Sequence, residues 1–270
     1  MFELIKPPGI AVVDIQGVIG PAVRPLEYAR LLSRLRAERS VRAVVLNINS
    51  PGGDAAGSDL ITGAVRRLGR EKPVAAFIGG VGASGGYMVA SAAQRIIALP
   101  SAIVGSIGVI SYRPMVAQLL DRLGVQMRVA KSGRLKDMGS PFREHTDEER
   151  AREQHLLDSL YKLFVDGVAQ SRGLPPERVR ELATGEVWAA AEARDNGLID
   201  GTGDMDDAID WAVTESGAAR RVRVVRPRRT LRDVLLGRAS ATLAESVMAQ
   251  LESAFEGGGR YLYTGSSARR

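Results

Sequence analysis

A glycine-rich stretch, FIGGVGASGGYMVASAA (Phe77–Ala93), lies where a predicted strand passes into a predicted helix. It continues the apolar run PVAAF and holds five glycines around Ser84. Glycines allow the backbone to approach a ligand or another segment closely. Three interpretations are open: a phosphate-binding loop, a tight connection in which Ser84 caps the helix, and a turn that presents Ser84 as a nucleophile.

The phosphate interpretation rests on Gly80, Gly82 and Gly85, which match the pattern G-x-G-x-x-G between a strand and a helix. The dinucleotide fingerprint also requires an acidic residue about 20 positions further on, to bind the ribose. Position 105 is Gly105, and no carboxylate lies near it in the sequence. A P-loop is excluded because no G-K-[ST] follows.

A serine nucleophile needs a base to accept its proton and an oxyanion hole to stabilise the intermediate. The chain has two histidines, His145 and His155, and both lie near or on a charged segment where we expect them to be surface residues. A lysine can serve as the base instead, if burial lowers its pKa from about 10.4 toward neutrality.

Apolar, β-rich runs alternate with helical patterns from residue 9 to residue 131, which predicts an α/β fold with a parallel, buried sheet. The last of these runs, VQMRVAK (residues 125–131), is predicted to be a strand. From Thr146 the pattern becomes helical, with Thr146 as the predicted N-cap of a long helix and Glu149 as its capping-box partner.

The charge and composition set broad limits. The chain of 270 residues has a net charge of +6, and eight arginines lie between Arg220 and Arg238. Such a basic stretch is usually a solvated surface, although an anionic membrane, a nucleic acid or an acidic partner also fits. With no cysteine, thiolate chemistry is excluded. No signal peptide or spanning helix is predicted, so we expect a cytoplasmic or peripherally membrane-associated protein.

Four motifs together resemble the signal peptide peptidase A family of serine proteases. They occur in the family's order between about Gly9 and Gly201. Such a protein has a Ser–Lys dyad on a ClpP/crotonase-like fold, an α/β superhelix of ββα units with a helical C-terminal part. The short, half-length form fits this chain. The motifs are LNINSPGG (residues 46–53), GASGGYMVASAA (residues 82–93), VGSIGVIS (residues 104–111) and KSGRLKDMGSPFREHTDEER (residues 131–150).

The resemblance assigns roles to five residues. Ser84 is implied to be the nucleophile, Lys136 the general base, and Ser106 the hydroxyl that orients the lysine. The SPGG turn resembles the family's oxyanion loop, and we expect the N–H groups of Gly53 and Gly85 to form the oxyanion hole. Alone, SPGG also fits a type II turn, and Lys136 also fits a surface lysine beside an aspartate.

The implied activity is endopeptidase cleavage of extended peptides with small and apolar residues, such as remnant signal peptides. No metal, cofactor or nucleic acid is required. The family also implies a homo-oligomeric ring in which Ser84 of one subunit meets Lys136 of the next. A crotonase-type acyl-CoA enzyme, a nucleotide-binding dehydrogenase and a non-catalytic scaffold are the alternatives.

The predicted organisation has three parts: a protease domain over residues 1–201, a helical and basic extension over residues 202–256, and a flexible tail over residues 257–270. The extension has an apolar helix face from Leu231 to Phe255. This face predicts a helix that packs on the protein or a neighbouring subunit, or one that lies on an anionic membrane surface.

Overall fold

The structure is a computed structural model, and it describes residues 9–227. Strands and helices alternate through the first hundred residues, as the sequence pattern predicts. In the described residues the strands are β1 (Gly9–Gln16), β2 (Val41–Ser50), β3 (Val74–Ala83), β4 (Arg95–Ala98), β5 (Ile103–Gly105), β6 (Val187–Ala189), β7 (Gly201–Thr202) and β8 (Val222–Val225). The helices are α1 (Pro25–Ala37), α2 (Ala55–Gly69), α3 (Gly85–Ser91), α4 (Ala117–Arg122), α5 (Asp147–Arg172), α6 (Pro176–Leu182), α7 (Ala190–Asp195) and α8 (Met205–Ser216).

The strands of the described residues form one sheet with the order β6-β5-β3-β2-β1-β8. All pairs are parallel except β5 with β6. Both faces of the central strands are largely buried, which explains the unbroken apolar runs IAVV in β1 and AVVL in β2. The α/β fold class is therefore confirmed.

The central strand β3 pairs with two different strands on one side. Its first half, Ala75–Ile78, pairs with β4, and its second half, Val81–Ala83, pairs with β5. The sheet therefore divides at the glycines between these halves. Ser84 follows β3 directly, at the carboxyl end of the strand and at the start of α3.

Two hydrophobic clusters cover the two faces of the sheet. The larger cluster joins alternate residues of β1 and β2 to helices α1, α2, α3 and α5. The smaller one joins the opposite residues of these strands, such as Ile10 and Val45, to α8. The buried apolar residues of these strands therefore alternate between the two clusters, as the period of two requires.

Beyond residue 201, α8 packs on the sheet and β8 pairs with β1. One expectation from the sequence needs correction. The predicted strand at residues 125–131 is wrong. This segment is exposed and has no strand partner in the described part of the chain, and a strand requires one.

The long helix α5 begins as predicted. The Thr146 side chain accepts a hydrogen bond from the Glu149 N–H, and the Glu149 side chain accepts one from the Thr146 N–H, which completes the capping box. None of the helices within residues 9–227 is both long enough and apolar enough to span a membrane. The predicted apolar helix face from Leu231 and the predicted tail lie outside the described residues.

Candidate active site

Ser84 occupies a backbone conformation that is unusual for a residue with a side chain. Its φ is +49° and its ψ is −122°, a combination that costs of order 1–3 kcal/mol outside glycine. Its side chain makes no capping hydrogen bond, although it stands at the N-cap position of α3. The interpretation of Ser84 as a helix cap therefore has no support, and the sharp turn leaves its half-buried hydroxyl without a structural role.

Ser106 has the same feature. Within residues 9–227, Ser84 and Ser106 are the two non-glycine residues with positive φ, and the φ of Ser106 is also +49°. The two serines belong to adjacent strand ends, because the Ser84 N–H donates to the Gly105 carbonyl at 2.8 Å. The Ser106 N–H donates to the Glu186 carbonyl at 2.7 Å. The structure therefore places both predicted serines at the carboxyl ends of the paired strands β3 and β5.

The SPGG turn packs directly against the Ser84 turn. A Cβ on Gly52 would lie 2.7 Å from the Gly85 nitrogen and 2.8 Å from the Ser84 Cβ, so only glycine fits there. Gly52 and Gly53 both have positive φ, at +101° and +143°. The buried Ser50 hydroxyl holds this turn, since it donates to the Gly17 carbonyl at 2.7 Å and accepts from the Gly52 N–H at 3.2 Å.

The two N–H groups predicted for the oxyanion hole lie beside this contact. Gly53 and Ile19 form an isolated parallel β-bridge. Its hydrogen bonds are made by the residues on either side of Gly53: the Ile19 N–H donates to the Gly52 carbonyl, and the Asp54 N–H donates to the Ile19 carbonyl. This pattern leaves the N–H of Gly53 itself outside the bridge. Gly85 is the first residue of α3, where backbone N–H groups have no partner within the helix.

Lys136 has a different environment from these residues. It is exposed, in a series of turns where its own N–H donates to the Gly133 carbonyl at 3.0 Å. Among the described residues, no hydrogen bond or ion pair joins Lys136 to Ser84 or Ser106. The single chain therefore brings together the predicted nucleophile Ser84, Ser106 and the glycine turn, and none of them is hydrogen-bonded to the predicted base in the described residues.

Lys136 belongs to a segment of distinct character, residues 108–146, which we call the arm. None of the arm residues is buried, although α4 lies within it. The arm exposes a series of large apolar side chains, and Ile110 at 71% and Leu123 at 66% are among the most exposed. The others are Tyr112, Met115, Leu119, Val125, Met127, Val129 and Phe142.

The remaining lysines of the described residues all have partners. Lys72 donates to two backbone carbonyls at 2.7 Å, Lys131 pairs with Asp137, and Lys162 pairs with Asp166. Lys136 has neither an ion pair nor a side-chain hydrogen bond among the residues that the structure describes. His155 is exposed as predicted, whereas His145 is half-buried and its Nε2 lies 3.0 Å from the Ser140 carbonyl oxygen.

Sequence reasoning missed the charged residues around the lysine turn. Asp137 contacts both Lys131 and Arg143, and Arg143 also contacts Glu149. The KD pair of the motif pointed to Asp137. Arg143 could not be identified in this way, because its position beside Asp137 depends on how the chain turns between them.

The glycines of the dinucleotide pattern do not form a phosphate loop. Gly80 and Gly82 lie inside strand β3, and a Cβ on either would meet a neighbouring side chain at 2.7–2.8 Å. A dinucleotide fingerprint places these glycines in the turn after the strand. The packing of the strand therefore accounts for them.

Comparison with known protein families and proteins finds matches that are described as peptidases or proteases. The model of peptidase family S49 matches residues 66–219. A candidate protease from Synechocystis is 36% identical over 77% of this chain and 74% of its own length. A candidate protease from Methanocaldococcus jannaschii is 37% identical over 67% of this chain. The chloroplastic serine protease SPPA from Arabidopsis thaliana is 32% identical over 83% of it.

The chain spans 58% of the Methanocaldococcus jannaschii protein and 34% of the Arabidopsis thaliana protein. Among solved structures, a mutant of the membrane-bound stomatin-specific protease 1510-N is similar in fold. Its TM-score is 0.54 at 15% identity, and the match covers 83% of this chain and 100% of that one.

Proposed function

Because the chain belongs to peptidase family S49, we propose that it is a serine endopeptidase with a Ser–Lys dyad. In this proposal Ser84 is the nucleophile, and Lys136 of a neighbouring subunit is the general base. The observation that carries the proposal is the strained backbone of Ser84 beside the glycine turn. Strain of this kind persists where the surrounding structure enforces it, and it is concentrated at active sites.

The reaction begins when the neutral Lys136 amine takes the proton of the Ser84 hydroxyl, while Ser84 Oγ bonds to the substrate carbonyl carbon. The N–H groups of Gly53 and Gly85 stabilise the resulting oxyanion. The Lys136 ammonium then protonates the leaving amine as the C–N bond breaks. Water then gives a proton to the neutral Lys136 amine and attacks the acyl-enzyme. As the bond between the acyl carbon and Ser84 Oγ breaks, the Lys136 ammonium returns this proton to Oγ, which releases the acid and regenerates Ser84.

Two observations favour Lys136 from another subunit. It is the lysine without a side-chain partner in the described residues, and it lies on an arm that buries none of its apolar side chains. A second copy that covers the arm would remove these side chains from water and would complete the site. Burial of this kind also favours the neutral form of a lysine. We therefore propose a homo-oligomeric ring with shared sites, in which Ser106 orients the lysine.

The proposed substrates are extended peptides with small and apolar side chains, such as remnant signal peptides. Strand β6 is at the edge of the described sheet and lies next to β5, which leads to Ser106. An extended peptide could add to this edge as a further strand. The residues beside Ser84 in the sequence are small, and we expect them to favour small side chains in the substrate.

A fluorophosphonate probe tests the nucleophile directly, because it reacts with an activated serine and not with an ordinary one. We expect stoichiometric labelling of wild type at Ser84 and no labelling of Ser84→Ala. Ser91→Ala is the matched control, since Ser91 lies on the same helix and its hydroxyl donates to the Met88 carbonyl. Labelling that persists in Ser84→Ala, or wild type that is never labelled, would contradict the proposal.

A further inference from the structure

Four charged residues surround the turn that carries Lys136, and together we call them the lysine clamp. They are Lys131, Asp137, Arg143 and Glu149. Lys131 precedes the turn, Asp137 follows Lys136 within it, and Glu149 lies in the first turn of α5. Arg143 connects the turn to the helix.

The first contact closes the turn. Lys131 Nζ donates to Asp137 Oδ1 at 2.5 Å, so a residue before the turn is tied to the residue that follows Lys136 within it. Within the turn, the Lys136 N–H donates to the Gly133 carbonyl and the Met138 N–H donates to the Leu135 carbonyl, both at 3.0 Å. The backbone of Lys136 is therefore held in a closed loop.

The second set of contacts fixes this loop to a rigid element. Arg143 Nε donates to Asp137 Oδ2 at 2.9 Å, and its two terminal nitrogens donate to the two Glu149 oxygens at 2.8 and 2.5 Å. This is the bidentate geometry that makes arginine–carboxylate pairs specific. The Glu149 side chain is 3% exposed and also accepts from the Thr146 N–H. The loop is thus joined to the capped end of a 26-residue helix.

The clamp stays ionised at working pH. Hydrogen bonds from Arg143 and then from Lys131 hold the pKa of Asp137 well below its usual range. Arg143, together with the Thr146 N–H, lowers the pKa of Glu149 to about 2. Both carboxylates are therefore charged wherever a lysine base could work.

We propose that Asp137 and Arg143 are positioning residues that aim the Lys136 amine at the serine of the neighbouring subunit. This inference rests on the dyad proposed above. The reason is the character of the arm: with no buried residue between 108 and 148, core packing cannot orient Lys136. The polar contacts of the clamp take that role. They also keep the Lys131 amine on Asp137, so Lys136 is the lysine that the turn presents.

The test compares Asp137→Asn and Arg143→Lys with wild type and with Asp147→Asn. Asp137→Asn keeps the shape of the side chain and removes the charge. Arg143→Lys keeps the charge and removes the bidentate fork. Asp147→Asn is the control, because Asp147 lies in the same helix end, pairs with Arg150 and is 99% exposed. For each oligomer, the rate constant of fluorophosphonate labelling and the final labelled fraction of Ser84 are measured, together with kcat and KM for a peptide substrate.

We expect a full labelled fraction in every variant. The rate constant and kcat should fall roughly 10- to 100-fold in Asp137→Asn, by less in Arg143→Lys and not at all in Asp147→Asn, with KM within about twofold. If Asp137→Asn reacts as fast as wild type, the clamp does not position Lys136. A reduced labelled fraction at the wild-type rate would show a structural role only, and it too would overturn the proposal. Wild type that is not labelled would overturn the dyad itself, and the clamp with it.

Discussion

The sheet that holds Ser84 and the arm that holds Lys136 differ in almost every physical respect. Ser84 follows the central strand β3, most of whose residues are buried, and its strained backbone packs closely against Gly52. Lys136 lies in residues 108–146, where no side chain is buried and polar contacts replace a core. One region holds a strained backbone within packed structure, and the other exposes its apolar side chains to solvent.

This difference explains how the catalytic work is divided in the proposed enzyme. A nucleophile and its oxyanion hole need tenths of an ångström of precision, which a buried sheet provides. In the proposal, the base comes from the exposed arm of another subunit, so it reaches the nucleophile only in the assembly. A lone chain would then be an incomplete enzyme.

The largest expected effect concerns the base. We expect Lys136→Arg to lose peptidase activity by about 10³-fold or more, because a guanidinium stays protonated and cannot accept the serine proton. Steady-state hydrolysis of an apolar peptide measures this loss. Lys162→Arg, which keeps an exposed ion pair on α5, is the control. An active Lys136→Arg enzyme would remove Lys136 from the mechanism.

The next effect concerns the glycine turn. Gly52→Ala places a Cβ 2.7 Å from the Gly85 nitrogen, so the turn or the Ser84 backbone must move. We expect kcat to fall on the order of 100-fold, as when an oxyanion donor is displaced. Gly173→Ala is the control. Gly173 also has positive φ, at +64°, but no atom lies within 4 Å of where a Cβ would stand, so this variant should keep its activity. Equal kcat values for the two variants would argue against the site.

The smallest expected effect concerns the stability of the fold at low pH, and it tests the ion pair between Arg143 of the arm and Glu149 of α5. The pKa of Glu149 is lowered from an ordinary value of 4.5 to about 2 in the folded chain, chiefly by Arg143. A lowered carboxyl pKa stabilises the fold fully above the unfolded value, and the contribution is lost as the pH falls through the folded value. Wild type should therefore lose stability between pH 4.5 and pH 2, and Glu149→Gln should lose less over that window.

Urea midpoints measured across this window give the difference between the two proteins. Glu177→Gln is the control, because Glu177 forms an exposed pair with Arg180. Parallel curves for wild type and Glu149→Gln would mean that Glu149 is not paired with Arg143 in solution.

Local features were predictable from the sequence, and contacts between distant segments were not. The start of α5 was predicted correctly, because Thr146 and Glu149 are three residues apart and form the cap by themselves. In the segment 125–131, apolar and polar residues alternate as they do in a strand. A strand also needs a partner strand, and the sequence of the segment alone does not show whether one is present. The family resemblance led to Ser84 and Ser106, yet their shared φ of +49° depends on how β3 and β5 pair. The lysine clamp likewise depends on a turn that brings Arg143 back to Asp137.

A mixing experiment tests the central claim, that each site combines Ser84 from one subunit with Lys136 from the next. Ser84→Ala and Lys136→Ala chains with different tags are co-expressed, and oligomers that contain both tags are purified. Each variant alone should be inactive. Random mixing pairs an intact serine with an intact lysine at roughly one site in four, so the mixed oligomers should recover about a quarter of wild-type activity. Mixed oligomers that stay inactive would contradict the account and would place each site within one subunit.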